Sequence, residues 1–245
     1  MENAQLISLS KQIALQRQMD VVANNLANIN TTGFKAENIL FEEYKSPTAR
    51  DRDFAFKDQI LSYTQDWATV RDMTQGAFQQ TGNPFDLALS GDGYFAVQTP
   101  AGERYTKSGS FQLAPDGTLV DLSGNPVLTE SGPIKFTGAT DDITINADGS
   151  ITTSQGGRGK LRVVEFADAQ AIEHTGGNLF TGTGANAAAN TRVIQGVVEK
   201  SNVSGVSEMA EMIRVSRAYE SLASLMQQQN DLRRTAIQRL GDTQA

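Results

Sequence analysis

The stretch nearest to a chemical motif is Gly156-Gly157-Arg158-Gly159-Lys160, whose residue types suggest a phosphate-binding loop. That loop requires glycine at position 154 and a serine or threonine at 161, so that backbone amides and a hydroxyl can reach the phosphates and their magnesium. The chain has Ser154 and Leu161 there, and a Gly-rich hairpin turn is the reading that remains. Thr144, Asn146, Asp148 and Gly149 partly follow a calcium loop, but Thr144 opens it and Gln155 closes it, without the acidic ligands. His174 is the single histidine and no Gly-x-Ser-x-Gly accompanies it, so it reads as a surface residue. Asp92, Asp116 and Asp148 each precede a glycine, where turn geometry accounts for them. Trp67 and its aromatic neighbours read as packing groups rather than a sugar platform. No catalytic residue, cofactor site or metal site is assigned.

Composition narrows the class. The chain has 245 residues, enough for one sizeable core or two modest ones. Its net charge of −7, with no basic cluster, disfavours nucleic acid and anionic membrane as partners. Cysteine is absent, so neither a disulfide framework nor a thiolate nucleophile is available. The first twenty residues interleave apolar side chains with Ser, Lys, Gln and Arg, and no window is apolar enough to span a bilayer. The expectation is no membrane insertion, and either a cytoplasmic location or export without a cleaved signal.

The ends of the chain read as helices. From about Asn3 to Asn30 there is no Pro or Gly. Leu15, Met19, Val22, Leu26 and Ile29 recur at steps of four and three, lining one helix face. Leu6, Leu9 and Ile13 form an earlier stripe out of register with it. Asn24, Asn25 and Asn28 are poor helix formers, and their carboxamides suggest hydrogen bonds to a neighbouring helix or backbone. Gly33 suits a left-handed helix end.

At the other end, Ser204 or Ser207 can cap a helix, with Glu208 and Glu211 near its positive pole. Val215, Ala218, Leu222, Leu225, Gln229, Leu232 and Ala236 alternate steps of three and four, beside Met209, Met212, Tyr219 and Met226. That face is wide enough to meet more than one helix. A helix of over thirty residues is roughly 50 Å long, and its apolar surface needs another helix or subunit beside it.

Between the helices the pattern changes. Residues 34–80 read as an extended arm, with Phe41, Tyr44, Phe54, Phe56 and Tyr63 among charges and a turn at Ser46-Pro47. From about Thr81 strand signals become dense: Phe85 to Leu89 alternates apolar and other residues, and Tyr94 to Gln98 and Leu161 to Phe166 read as strands, with turns at Pro115-Asp116-Gly117 and Asn146 to Gly149. Turns at intervals of about ten residues predict an antiparallel all-β domain over 81–191. Gly182 to Asn190 reads as a loop, and 192–203 as a return strand. The predicted class is α+β. A helix over 1–33 pairs with one over 204–245, and the β-domain is inserted between them.

The quoted segments also resemble a known family. ANNLANINTTGFKAENILF at 23–41 is similar to the N-terminal signature of flagellar rod and hook proteins. SGDGYFAVQ at 90–98 and YTKSGSFQLAPDGTLVD at 105–121 resemble its middle-domain motifs. QGVVEKSNV at 195–203, with Glu208-Met209, Met212-Ile213 and Arg217 to Glu220, resembles its C-terminal signature. Length and N-terminal pattern resemble the proximal-rod branch, with the distal-rod branch as the alternative.

The resemblance implies a structural subunit of a helical tube that transmits torque and encloses an export channel. Its partners would be shorter proximal rod proteins, the distal rod protein, copies of itself and the flagellar export apparatus. Its place would be the rod that crosses the periplasm. The terminal helices would form the assembly interface, through Leu15, Met19, Val22, Asn24, Asn25, Leu26, Asn28 and Ile29 on the first. On the second, Met212, Val215, Tyr219, Leu222, Leu225, Met226 and Leu232 would contribute. Two rivals from other classes are a secreted β-domain binding module and a peptidoglycan hydrolase. The hydrolase lacks a convincing carboxylate pair or Cys/His set.

Overall fold

The computed structural model describes residues 2–45, 62–136, 143–168 and 172–242. Its helices are α1 (Glu2–Ala27) and α2 (Gly205–Asp242). They belong to one of two compact units, made of Met1–Ala27, Glu37–Val70 and Ser204–Ala245. The other comprises Asn28–Ala36 and Arg71–Val203.

In the first unit α1 and α2 pack along each other. At 38 residues, α2 runs for about 57 Å. Strands β1 (Glu37–Lys45) and β2 (Ser62–Arg71) pair as a two-stranded ribbon, and β1 lies against α1. The extended arm read from the sequence therefore contributes regular strands where it is described. Ser46-Pro47, Phe54, Phe56 and the side chains of Tyr63 and Trp67 lie outside the described residues.

The second unit is antiparallel β-structure. Further strands are β3 (Phe78–Gln80), β4 (Leu87–Ser90), β5 (Tyr94–Thr99) and β6 (Gly102–Thr106). Its largest sheet has six strands in the order 173–176, 179–181, β6, β5, 163–165, 186–187. β5 is central because both of its faces are apolar. Phe95 and Val97 enter a core with Leu87, Leu119, Ile151 and Leu161, while Tyr94 and Ala96 enter a second core with Tyr105, Val164 and Phe180. Full burial of a side chain such as Phe95 contributes about 1.5–3 kcal/mol. Gly109 holds this core closed: a Cβ there would stand 1.7 Å from the Leu87 carbonyl oxygen.

Four local readings are corrected. Helix α1 stops at Ala27 rather than near Asn30, because Thr31 turns back and its amide and hydroxyl donate to the Asn28 carbonyl and side chain. Gly156–Lys160 is a strand of a hairpin and not its turn, which falls at Ser154-Gln155. The return strand is broken at Gly196. Arg192–Gln195 pairs with β4, and Val197–Glu199 pairs with β3. Residues 182–190 include a short strand, Asn186–Ala187, which pairs with Val164-Glu165. The two turns at 115–117 and 146–149 form as read, with Gly117 and Gly149 donating to Ala114 and Asn146 carbonyls.

Candidate functional site: the helix seam and a motif junction

The helix seam combines a small apolar core with a polar ladder. Ala14, Val22 and Val215 are buried in it. Leu15, Met19, Leu26, Met212, Tyr219, Leu222 and Met226 are half-buried. The ladder runs antiparallel. Gln5 Nε2 donates to Asn230 Oδ1 at 3.1 Å, and Arg233 Nη1 donates to Gln5 Oε1 at 2.7 Å. Gln12 Nε2 donates to Tyr219 Oη at 2.9 Å, and Gln18 Nε2 to Glu211 Oε1 at 2.8 Å. Asn25 Nδ2 reaches Glu208 Oε2 at 3.3 Å. Each step up α1 is a step down α2, so the polar residues fix the register that an apolar stripe alone leaves loose. The sequence reading passed over Gln5, Gln12 and Gln18. Their near-heptad spacing, ending at Asn25, was the signal available.

The other residues of the expected assembly interface lie outside this seam. Leu225 and Leu232 are exposed, the latter at 70%. Asn24 is exposed, and Asn28 and Ile29 sit past the end of α1, half-buried in the β-unit. A second apolar face is uncovered on each helix. Leu6, Leu9 and Ile13 on α1, and Val206, Met209 and Ile213 on α2, are all more than 45% exposed. At 100° per residue each triplet clusters on the side of its helix away from the seam.

The second arrangement lies within the β-unit, where three distant segments meet. Lys35 Nζ and Glu199 Oε1 form an ion pair at 2.6 Å, with side chains 1% and 2% exposed. Lys35 Nζ also donates to the Thr74 carbonyl at 2.6 Å, and the Gly76 amide donates to Glu199 Oε1 at 2.9 Å. These added bonds satisfy charges that would otherwise be costly to bury. The Gly33 amide donates to the Glu199 carbonyl at 2.8 Å. Gly33 has φ +69°, and a Cβ on it would lie 2.5 Å from the Lys107 backbone, so this position excludes other residues twice over.

Thr32 Oγ1 and Ser108 Oγ share a hydrogen bond of 2.8 Å, and Asn178 Nδ2 donates to the Thr32 carbonyl at 3.1 Å. Asn202 accepts from the Ala36 amide at 2.8 Å and donates to the Asp72 carbonyl at 2.8 Å. Lys107, nearly fully buried, donates to the Gly91 carbonyl at 3.3 Å and sits 4.8 Å from the Tyr94 ring centre. Burial pushes the Lys107 ammonium below its usual range, and the nearby Lys35 charge adds to that. Burial likewise pushes the Tyr94 phenol up, with the Asp92 charge contributing.

None of this geometry resembles a catalytic constellation. Among the described residues, no group of three or more His, Cys, Asp or Glu is placed to hold a metal. No described helix is long and apolar enough to cross a membrane. The junction is instead made of the sequence motifs themselves: Thr32 to Lys35, Lys107-Ser108, and Glu199 to Asn202.

Comparison with known proteins agrees with that division. Residues 6–35 match the family profile described as flagella basal body rod protein, and 88–153 the flagellar hook protein FlgE/F/G D1 domain. Residues 194–239 match the flagellar basal body rod FlgEFG protein C-terminal region. The chain is 36% identical to the flagellar basal-body rod protein FlgF of Caulobacter vibrioides, covering 98% of this chain and 99% of the relative. The chain belongs to the flagellar basal-body rod protein family. It is also 33% identical to FlgF of Mesorhizobium japonicum, again over 98% and 99% of the two chains. FlgG of Bacillus subtilis is 32% identical over 86% of this chain and 89% of its own.

As a rod protein of FlgF type the chain is a structural subunit rather than an enzyme, a component of the basal-body rod that assembles with other rod subunits. The three family matches carry the two helices and each contribute to the junction. Thr32, Gly33 and Lys35 come from the first, Lys107 and Ser108 from the second, and Glu199 and Asn202 from the third.

Proposed function

We propose that this rod protein occupies the proximal rod, with shorter proximal rod proteins on one side and the distal rod protein on the other, and copies of itself alongside. The observation that carries the assembly is the pair of uncovered apolar triplets on α1 and α2, which leave each helix a second packing face after the seam is formed. Helices that pack on several neighbours resist twisting, which suits a shaft that transmits torque around a central export channel. Leu225 and Leu232 are exposed on α2 as well, more than about 100° round the helix from the centre of its triplet, and offer a further apolar strip. The proximal position is favoured by end-to-end alignment with FlgF relatives, against 84–86% coverage by FlgG relatives.

Delivery to the rod runs through the flagellar export apparatus. Residues 81–191 act as the outward β-domain, and 34–80 and 192–203 connect it to the helices.

A photocrosslinking residue at Gln228, exposed on α2, tests this reading in purified basal bodies. Crosslinks to both the shorter proximal proteins and the distal rod protein are expected. Crosslinks dominated by copies of the same chain would favour a distal position, and none to axial proteins would contradict assembly through α2.

A further inference from the structure

Among the described residues of the helical unit Asn25 is the most deeply buried polar one, at 1% exposure, and it stands in the last turn-and-a-half of α1. An asparagine costs helix stability there relative to alanine, so its carboxamide must return something. Its Oδ1 accepts from the Glu37 amide at 2.9 Å, and its Nδ2 donates to the Glu37 carbonyl at 2.9 Å. The side-chain amide thus pairs with both backbone groups of the first residue of β1, as a residue on a neighbouring strand would. The same Nδ2 has a second hydrogen, and Glu208 Oε2 on the first turn of α2 lies 3.3 Å away. One carboxamide on α1 therefore touches both β1 and α2.

We infer that Asn25 couples the docking of strand β1 to the pairing of α1 with α2. A buried amide is costly when any of its groups lacks a partner. Undocking Glu37 leaves both ends of the carboxamide unmet, and removing Glu208 takes the charged acceptor from its second N–H. A cavity of about 120 Å³ adjoins this point, lined by Gln18, Val22, Ile39 and Glu211 among others. Each contact is thereby more favourable when the other is present, and strand and helix pair form together. Aspartate cannot replace it. Its carboxylate accepts from the Glu37 amide but has no donor for the Glu37 carbonyl, and it would face the Glu208 carboxylate.

Amide hydrogen exchange at Glu37 in the full-length chain reads this coupling. In the unaltered chain the Glu37 amide is expected to be protected. Asn25→Ala and Asn25→Asp should each lower that protection by about 10- to 100-fold. Glu208→Ala, a milder change on another element, should lower it by a smaller factor. Gln16→Ala, on the exposed side of α1, should leave it unchanged. Protection of the Phe95 amide should hold in all variants and reports that the β-unit stays folded. Glu37 protection that ignores Glu208→Ala would overturn the coupling, as would its survival in Asn25→Asp. An unprotected Glu37 in the unaltered chain would overturn it too, because the free chain would then lack the contact.

Discussion

Gln12 and Tyr219 meet across the helix seam, Gln12 Nε2 donating to Tyr219 Oη at 2.9 Å although 207 residues separate them. The bond is one rung of a ladder that sets how α1 slides on α2. An apolar stripe buries area without choosing among nearby registers, whereas a rung is satisfied in one register only.

The rung should show as a coupling energy. Gln12→Leu and Tyr219→Phe each leave one partner unmet and should each cost about 1 kcal/mol. Combined, they should cost less than their sum by about 0.5–1 kcal/mol. Urea unfolding of the full chain followed by far-ultraviolet circular dichroism measures this. Strict additivity would mean that the bond contributes nothing.

The buried ion pair predicts a sharper asymmetry. Lys35→Met strands the Glu199 carboxylate at 2% exposure and should destabilise the β-unit by about 3–5 kcal/mol. Lys35→Met with Glu199→Leu should recover most of that loss. Near-ultraviolet circular dichroism in denaturant distinguishes the two, and a double variant as weak as the single would show that other polar groups need Glu199.

Gly33 and Gly82 make a controlled comparison. Both have positive φ, +69° and +74°, but only Gly33 is crowded by backbone. Gly82→Ala should cost only the strain of the left-handed conformation, about 1–2 kcal/mol. Gly33→Ala must also displace the Lys107-Ser108 backbone or break the Gly33 bond to the Glu199 carbonyl. It should lower the melting temperature several degrees further. Equal shifts would remove the packing argument.

Much of the architecture was legible in the residues. The apolar run Tyr94 to Val97, bounded by turn residues, announced a strand, and both its faces proved to be buried. The absence of Pro and Gly from Asn3 to Asn30 and from Ser207 to Leu240 announced long helices. Two features were less accessible. Gly196 breaks a continuous-looking strand because the chain changes partners there, from β4 to β3, which local pattern does not encode. Nothing in the local pattern marks Lys35 and Glu199 as partners, and only the meeting of segments 164 residues apart makes them a buried pair. Leu225 and Leu232 share the alternating steps of Val215 and Leu222 yet stay exposed, because at 100° per residue they stand about 60–80° round the helix from Leu222, while Met226 and Arg233 keep to the seam.

Lys107 gives a prediction in pH. Its ammonium titrates below the ordinary 10.5 when folded, so between that lowered value and 10.5 the unfolded chain holds more protons. Its contribution to stability therefore improves as pH rises through that window. Lys107→Met removes the dependence. The stability of the unaltered chain relative to this variant should rise as pH climbs toward 10.5 in denaturant titrations. A constant difference would mean that Lys107 is solvated like a surface lysine.

The central claim is that the uncovered helix faces, and not the β-unit surface, hold the subunit in the rod. Ile213→Asp places a charge in the exposed triplet of α2, and Leu122→Asp places one at a 70% exposed site of the β-unit. Quantifying the subunit in purified basal bodies from cells carrying each variant tests the claim most directly. Ile213→Asp should abolish incorporation while the isolated β-unit signals stay native, and Leu122→Asp should incorporate normally. Normal incorporation of Ile213→Asp would contradict the account.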